Sequence, residues 1–211
     1  MRNDLTYKYY RKNGSREACL VLHGGGTAGV ESPFISRIIS AVADSRRSVF
    51  GFNMPYLERG GQSTSEGLEE EVEALAEVIY FLRGEGYDKI TVVAKSLGAI
   101  VTSFYLEKNK AANLDVIILG YVIGDVKTAA IAPYTKCVIQ GESDRFGGRQ
   151  AVLDELDRAG FGGKIEVVEL AGADHSYRNA RGEPEFQPLA IDCLLASLSD
   201  SADSQARPDK R

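Results

Sequence analysis

Short apolar runs separated by amphipathic stretches recur along the chain, and their order predicts buried strands alternating with surface helices. The runs at 18–22, 48–53, 89–94, 116–119, 137–140 and 164–170 are dominated by Val, Ile, Leu, Phe and Ala. Lacking a polar alternate position, most of them suit strands covered on both faces of a sheet. Between them, apolar residues step by three and four. Phe34, Ile35, Ile38, Ile39 and Val42 make one such stripe, and Leu68, Val72, Leu75, Ile79 and Leu82 make another. Ser32 and Pro33 form a cap and first-turn pair ahead of the first stripe. Leu97, Ile100, Val101, Phe104 and Tyr105 predict a helix directly after Ser96, and Val152, Leu153 and Leu156 predict another that ends at Gly160. A last helix is expected from about Gln187, with Leu189, Cys193, Leu194 and Leu198 along one side. Thr6–Tyr10 reads as an edge strand closed by a turn at Asn13-Gly14. Glu66, Glu69, Glu70 and Glu71 crowd the start of the second stripe, where they suit the helix dipole as a solvated end.

This rhythm predicts an α/β fold: a mostly parallel sheet of about seven strands with helices on both faces. The length of 211 residues and 44% hydrophobic content support one core, and a single domain is expected over residues 1–198. Residues 199–211 lack large apolar side chains and are expected to be a disordered tail. The net charge of −5 and the lack of a basic cluster before that tail argue against a nucleic-acid surface. The first residues carry no apolar signal core and no stretch is long enough to span a membrane, so a cytoplasmic location without membrane contact is expected. Cys19, Cys137 and Cys193 are widely spaced among apolar residues and read as reduced packing residues. With two histidines and no close Cys/His pairs, no metal site is expected.

The chemistry concentrates where strands end. Ala94-x-Ser96-x-Gly98 is the G-x-S-x-G strand-to-helix turn with Ala at its first position, and small flanks let strand and helix meet beside a strained serine. Alone, such a serine is equally a helix N-cap. Asp144 and His175 also follow strands, so all three fall on the carboxyl rim of the sheet, where ligands of such folds bind. A serine hydroxyl needs a base, and the base needs a carboxylate to fix its tautomer. Ser96 as nucleophile, His175 as base and Asp144 as orienting acid meet that need, with Glu142 and Asp174 as competitors for the acid. Protonating the base would disable it, so activity is expected to decline in acid. An oxyanion would be held by the N–H of Leu97 and one from His23-Gly24-Gly25-Gly26, Gly25 first and Gly26 as the alternative. His23 is expected to shape that loop; Lys95 beside the nucleophile would bias the site toward anionic substrates if it faced them, but is expected to be a strand-end lysine reaching solvent.

HGGGTAG, AKSLGA, QGESD and GADH, each at a strand end and in this order, resemble the α/β-hydrolase superfamily across almost the whole folded chain. HGGGTAGVESPF, FNMPYLERGG, AKSLGA, QGESDRFG and GADHSY resemble more closely the small lid-less group that includes testis-expressed protein 30 and the hydrolase-like domain of NSL-complex subunit 3. Dienelactone-hydrolase-like proteins are more distant; they typically use a cysteine nucleophile, so Ser96 leaves lactone chemistry unimplied. Two departures are Ala94 at the first elbow glycine and Ala99 where the group usually has another. The triad implies a serine hydrolase whose chemistry needs no cofactor, an open site favours small acyl esters, and the resemblance implies an α/β-hydrolase fold. It equally admits a non-catalytic interaction module on the same fold, since the group includes a scaffold subunit. The segment Tyr121–Thr135 is too short for a cap domain, and an open site bounded by Tyr56, Tyr121, Tyr134 and Tyr177 is expected.

Two other readings fail on chemistry. Gly24-x-Gly26-x-x-Gly29 matches a dinucleotide fingerprint, but the next strand ends at Asn53-Met54-Pro55 without the acid that would bind a ribose. Ala94-Lys95-Ser96 lacks the glycines of a phosphate-binding loop.

Overall fold

The computed structural model describes residues 4–203 apart from 46, 62 and 112. In chain order the elements are β1 (Tyr7–Tyr10), β2 (Glu17–Leu22), α1 (Pro33–Asp44), β3 (Ser48–Phe52), α2 (Pro55–Glu58), α3 (Glu69–Gly84), β4 (Lys89–Lys95), α4 (Leu97–Lys108), β5 (Leu114–Leu119), α5 (Thr128–Ile131), β6 (Thr135–Gly141), α6 (Arg149–Arg158), β7 (Glu166–Leu170) and α7 (Gln187–Asp203). The first residues of the expected tail are thus helical, and 204–211 lie outside the described residues. Seven strands form one sheet in the order β1-β3-β2-β4-β5-β6-β7. All pairings are parallel except β1 with β3, where Tyr7 faces Phe52 and Tyr10 faces Val49. The turn after β1 does not close a hairpin; β1 skips its sequence neighbour and caps the edge of β3.

The continuous apolar strands are explained by cover on both faces. Leu20, Leu22, Val92, Ala94 and Ile118 point into one core with residues of α3, α4 and α6. Their strand neighbours Cys19, Val21, Val93 and Ile117 point into a second core with α1 and α7. Each fully buried Leu, Ile or Phe contributes roughly 1.5–3 kcal/mol to this two-layer burial. The start of α1 is as expected, with Ser32 Oγ accepting from Ile35 N–H at 3.3 Å.

Three elements differ from the sequence reading. In α4 the fully buried face includes Gly98, Ala99, Thr102 and Ser103 alongside Val101 and Tyr105. Small residues there let the helix approach the sheet closely, and a Cβ on Gly98 would stand 2.7 Å from Leu22 Cβ and 3.0 Å from Leu22 O. In α7 the inward residues are Ala190, Leu194 and Leu198, whereas Leu189 is 48% exposed. Glu71 is not solvated: it is fully buried and its carboxylate accepts from the N–H and hydroxyl of Ser65, tying the preceding loop to α3. Between β5 and β6 only α5 and one short turn intervene, so no cap domain covers the carboxyl edge.

Candidate active site

The local fold around Ser96 follows from crowding. β4 ends at Lys95, and α4 begins at Leu97, leaving one residue to reverse the chain. Ser96 does so at φ 49° and ψ −108°, a left-handed conformation that costs a non-glycine residue about 1–3 kcal/mol. Its N–H is held by Leu119 O at 3.0 Å, and its carbonyl accepts from Ala99 N–H at 2.8 Å. Ala94 and Ala99 are fully buried beside it, small enough to occupy positions where glycine was the pattern.

Ser96, His175 and Asp144 come together from three strand ends. His175 Nε2 lies 2.7 Å from Ser96 Oγ, and His175 Nδ1 lies 2.6 Å from Asp144 Oδ2. A carboxylate only accepts, so Nδ1–H donates to Asp144 and Nε2 is left to accept from the serine hydroxyl. Asp144 is buried, and its other donors are Gln140 Nε2 at 3.0 Å on Oδ2 and Phe146 N–H at 2.8 Å on Oδ1. The competing acids are committed elsewhere. Glu142 Oε2 accepts from Gly172 N–H at 2.7 Å, while Asp174 Oδ1 accepts from the N–H groups of Ser176 and Arg178 at 2.8 Å each.

Two supporting residues carried no signal that the sequence reading used. Gln140 is fully buried; its amide nitrogen faces Asp144 and, at 2.5 Å, the carbonyl of Gly147, while its carbonyl accepts from Tyr121 N–H at 2.7 Å. It fixes the acid loop to the end of β5. Phe146 packs edge-on against the His175 ring, with centroids 4.6 Å apart. A buried glutamine at a strand end was the available hint, since such a group demands partners.

The glycine loop lies alongside. A Cβ on Gly24 would stand 3.4 Å from Ser96 Cβ, and Gly24, Gly25 and Gly26 all line a cavity of about 440 Å³ that also reaches Ser96 and His175. The first N–H groups of α4, Leu97 among them, have no acceptor within the helix. His23 shapes the loop as expected: Nδ1 donates to Gly24 O at 2.7 Å and Nε2 accepts from Met54 N–H at 2.9 Å. Burial lowers its pKa, in keeping with this neutral, doubly used ring.

The tyrosine wall is a correction. None of Tyr56, Tyr121, Tyr134 and Tyr177 lines the cavity. Tyr56, Tyr121 and Tyr177 are buried in the cores, where the phenols donate to or share protons with interior partners: Gly26 O at 2.8 Å, Thr128 Oγ1 at 2.6 Å and Ile139 O at 2.8 Å respectively. Tyr134 is partly buried, and its hydroxyl accepts from Ala111 N–H at 3.3 Å. Large rings near strand ends gain more from filling core space than from facing water. The cavity lies instead between the glycine loop, the first turns of α1, and the segment from His175 to Gln187.

Lys95 is the other correction. It is largely buried rather than extended into bulk solvent: it is 7% exposed, and burial pushes its pKa down to about 8 against the opposing fields of Asp144 and Asp174. A folded-state pKa below the unfolded one means that the charged form is penalised in the fold, and the penalty disappears as pH rises from about 8 towards the unfolded value of 10.5. Lys95→Met is therefore expected to be more stable than the parent at pH 7, by on the order of 3 kcal/mol. That advantage should shrink steadily above pH 8. Paired denaturant melts across pH 7–10.5 check it, and equal stability throughout would mean that the ammonium is well solvated.

Residues 15–194 match a family model described as an alpha/beta hydrolase domain. Among solved structures, a protein of unknown function from Agrobacterium tumefaciens superposes with a TM-score of 0.75 at 16% identity, covering 98% of this chain and 95% of that one. An alpha-beta serine hydrolase homologue from Coxiella burnetii gives 0.70 at 18% identity, over 90% and 91% of the two chains. An esterase from Pyrococcus furiosus gives 0.68 at 18% identity, over 93% and 87%. At such identities the likeness is one of fold. No curated protein matches the chain. Among the described residues, no helix is long and apolar enough to cross a membrane, and no cluster of His, Cys, Asp and Glu could hold a metal ion.

Proposed function

The chain belongs to the alpha/beta hydrolase domain family, and from that premise we propose that it is a serine hydrolase, an esterase of small acyl esters working through an acyl-enzyme on Ser96. One observation carries the reading: an unbroken relay from Ser96 Oγ to His175 to Asp144, at 2.7 and 2.6 Å, built on a serine held at φ 49°. A fold gains nothing from straining that backbone, whereas a nucleophile needs its hydroxyl projected clear of strand and helix. The esterase and the serine hydrolase homologue of the same fold lend the reading support by analogy.

In the reaction, Ser96 Oγ attacks the ester carbonyl as its proton passes to His175 Nε2. The oxyanion is held by Leu97 N–H with Gly25 N–H, Gly26 being the alternative second donor, and each such bond is worth roughly 3–4 kcal/mol in the transition state. His175 returns the proton to the departing alcohol, leaving an acyl ester on Ser96. A water then loses its proton to His175 and attacks the acyl carbon; the serine recovers its proton, and a carboxylic acid leaves. Asp144 holds the imidazole in the required tautomer and faces the positive charge that forms twice in each cycle.

The same reading places the protein within the small lid-less group resembling testis-expressed protein 30, on the strength of its motifs, and in the cytoplasm, in keeping with three free cysteines. Its partner is a small-molecule ester rather than nucleic acid or membrane. A neutral fluorophosphonate probe followed by intact-mass measurement tests the core of the proposal. One equivalent should label the parent protein and none should label Ser96→Ala or His175→Ala. A folded parent that stays unlabelled overturns it in favour of a non-catalytic interaction module.

A further inference from the structure

Lys95 adjoins the nucleophile, yet it is largely buried with no hydrogen bond or ion pair to its ammonium among the described residues. The residue is 7% exposed, and the groups whose fields act on Nζ, Asp144 and Asp174, form no ion pair with it. Burying an ammonium in this way is costly unless something compensates. The compensation offered by the protein is slight: Nζ sits 5.7 Å from the Tyr177 ring centroid, and the carboxylates whose fields reach it, Asp144 and Asp174, are already engaged by N–H donors. Hydrophobic packing would be better served by a Leu or Met at the same place.

The position of Nζ relates it to the reacting centre. A Cβ on Gly120 would stand 2.9 Å from Lys95 Nζ and 3.0 Å from His175 Cε1, so the ammonium lies beside the same imidazole whose Nε2 meets Ser96 Oγ. Lys95 also lines the 440 Å³ cavity. The other charged side chains on that lining are Arg37 and Arg178, both exposed at its mouth, and among the described residues no Asp or Glu contributes to it. In a chain of net charge −5, the fixed charges on this lining are all cationic among the described residues, and its other ionisable groups are the two histidines, His23 and His175.

We propose that the cavity takes esters that carry an anionic group, a carboxylate or a phosphate, a few bonds from the reacting carbonyl, and that Lys95 is the residue which binds that group. The inference rests on the hydrolase reading for the word ester, while the anion site rests on Lys95 and the cavity. The anion supplies the charge partner that Nζ lacks, in a low-dielectric setting where a charge-assisted bond is strong. Arg37 and Arg178 add a field that draws anions to the mouth. Because burial brings the Lys95 pKa to about 8, the ammonium is the main form at neutral pH and the preference should fade above pH 8. The groups facing Nζ across that range are Asp144, His175, Asp174 and Tyr177, and burial holds the Tyr177 phenol neutral there.

Binding can be measured without turnover. Ligand-observed NMR on Ser96→Ala protein at pH 7 would compare monomethyl succinate with methyl 4-oxopentanoate, its neutral analogue of nearly equal shape, and with methyl 3-phosphonopropanoate. At least tenfold tighter binding of an anionic ester is expected, and the better of the two anions identifies the natural charge. Lys95→Met in the same background should bring the ratio to within threefold, and Lys95→Arg should keep most of it. Equal affinity for charged and neutral esters, or a preference that survives Lys95→Met, overturns the proposal. An anion preference in a protein whose parent form takes no fluorophosphonate would sustain the anion site and sink the hydrolase. Labelling without preference would do the reverse.

Discussion

Replacing Ser96 by Ala should abolish ester turnover above background, a loss on the order of 10⁶-fold in kcat for a fully developed triad. His175→Ala should cost about as much, and the double variant no more than either alone, because nucleophile and base act as one unit. The structure gives the reason: the only ring nitrogen free to accept is Nε2, and its partner is Ser96 Oγ at 2.7 Å. Without the ring the hydroxyl keeps its proton, and without the hydroxyl the ring has nothing to activate for attack. Both variants should fold. Ser96→Ala relaxes no packing and leaves the φ 49° backbone as strained as before, while His175 is partly exposed at the cavity edge. Initial rates with p-nitrophenyl acetate, beside thermal melts, give the measurement. Losses that multiply, or a Ser96→Ala protein within tenfold of the parent, would show that the serine and histidine do not work together.

Asp144→Asn is the second large effect and the more informative one. Oδ2 receives two donors, His175 Nδ1 and Gln140 Nε2, and Oδ1 receives Phe146 N–H. A carboxamide has one accepting oxygen and one NH2, so either orientation sets a buried N–H against another. If the NH2 faces Phe146, the histidine tautomer survives but the negative charge opposite the imidazolium is gone. If it faces His175, the ring must carry its proton on Nε2 and can no longer accept from Ser96. Either way kcat should fall by roughly 10²–10⁴-fold, and one unsatisfied donor should lower stability by about 1–3 kcal/mol. Glu142→Gln, at the rival acid, should stay within tenfold, because Glu142 meets Gly172 N–H and not the histidine. A larger loss at Glu142 than at Asp144 would reverse the assignment of the acid.

Much of this molecule was legible in its residue order. Strands covered on both faces betray themselves by apolar runs without alternation, and 90–94, 116–119 and 137–140 all lie in observed strands. The candidate triad could be read because each member follows a strand, and parallel strands bring their carboxyl ends to one rim whatever their separation in sequence. Which of the competing acids faces the ring was left to the fold: Asp144 Oδ2 meets His175 Nδ1, while Asp174 Oδ1 accepts from Ser176 and Arg178 N–H. What sequence could not supply was the environment of each side chain. Tyr56, Tyr121 and Tyr177 looked like a wall and are core, because an aromatic ring beside a strand end can turn either way and the choice depends on helices far along the chain. Lys95 looked solvated, and its burial arises from β5, the histidine loop and Tyr177 closing over it. Gln140 and Phe146 acquire meaning only from the groups they touch. Periodicity and strand ends are properties of neighbours in the chain, and so the sequence by itself determined the layers, the rim and the triad candidates. Burial and charge environment are sums over residues remote in the chain, and only the tertiary structure could decide which side chains line the cavity and what sign of charge it holds.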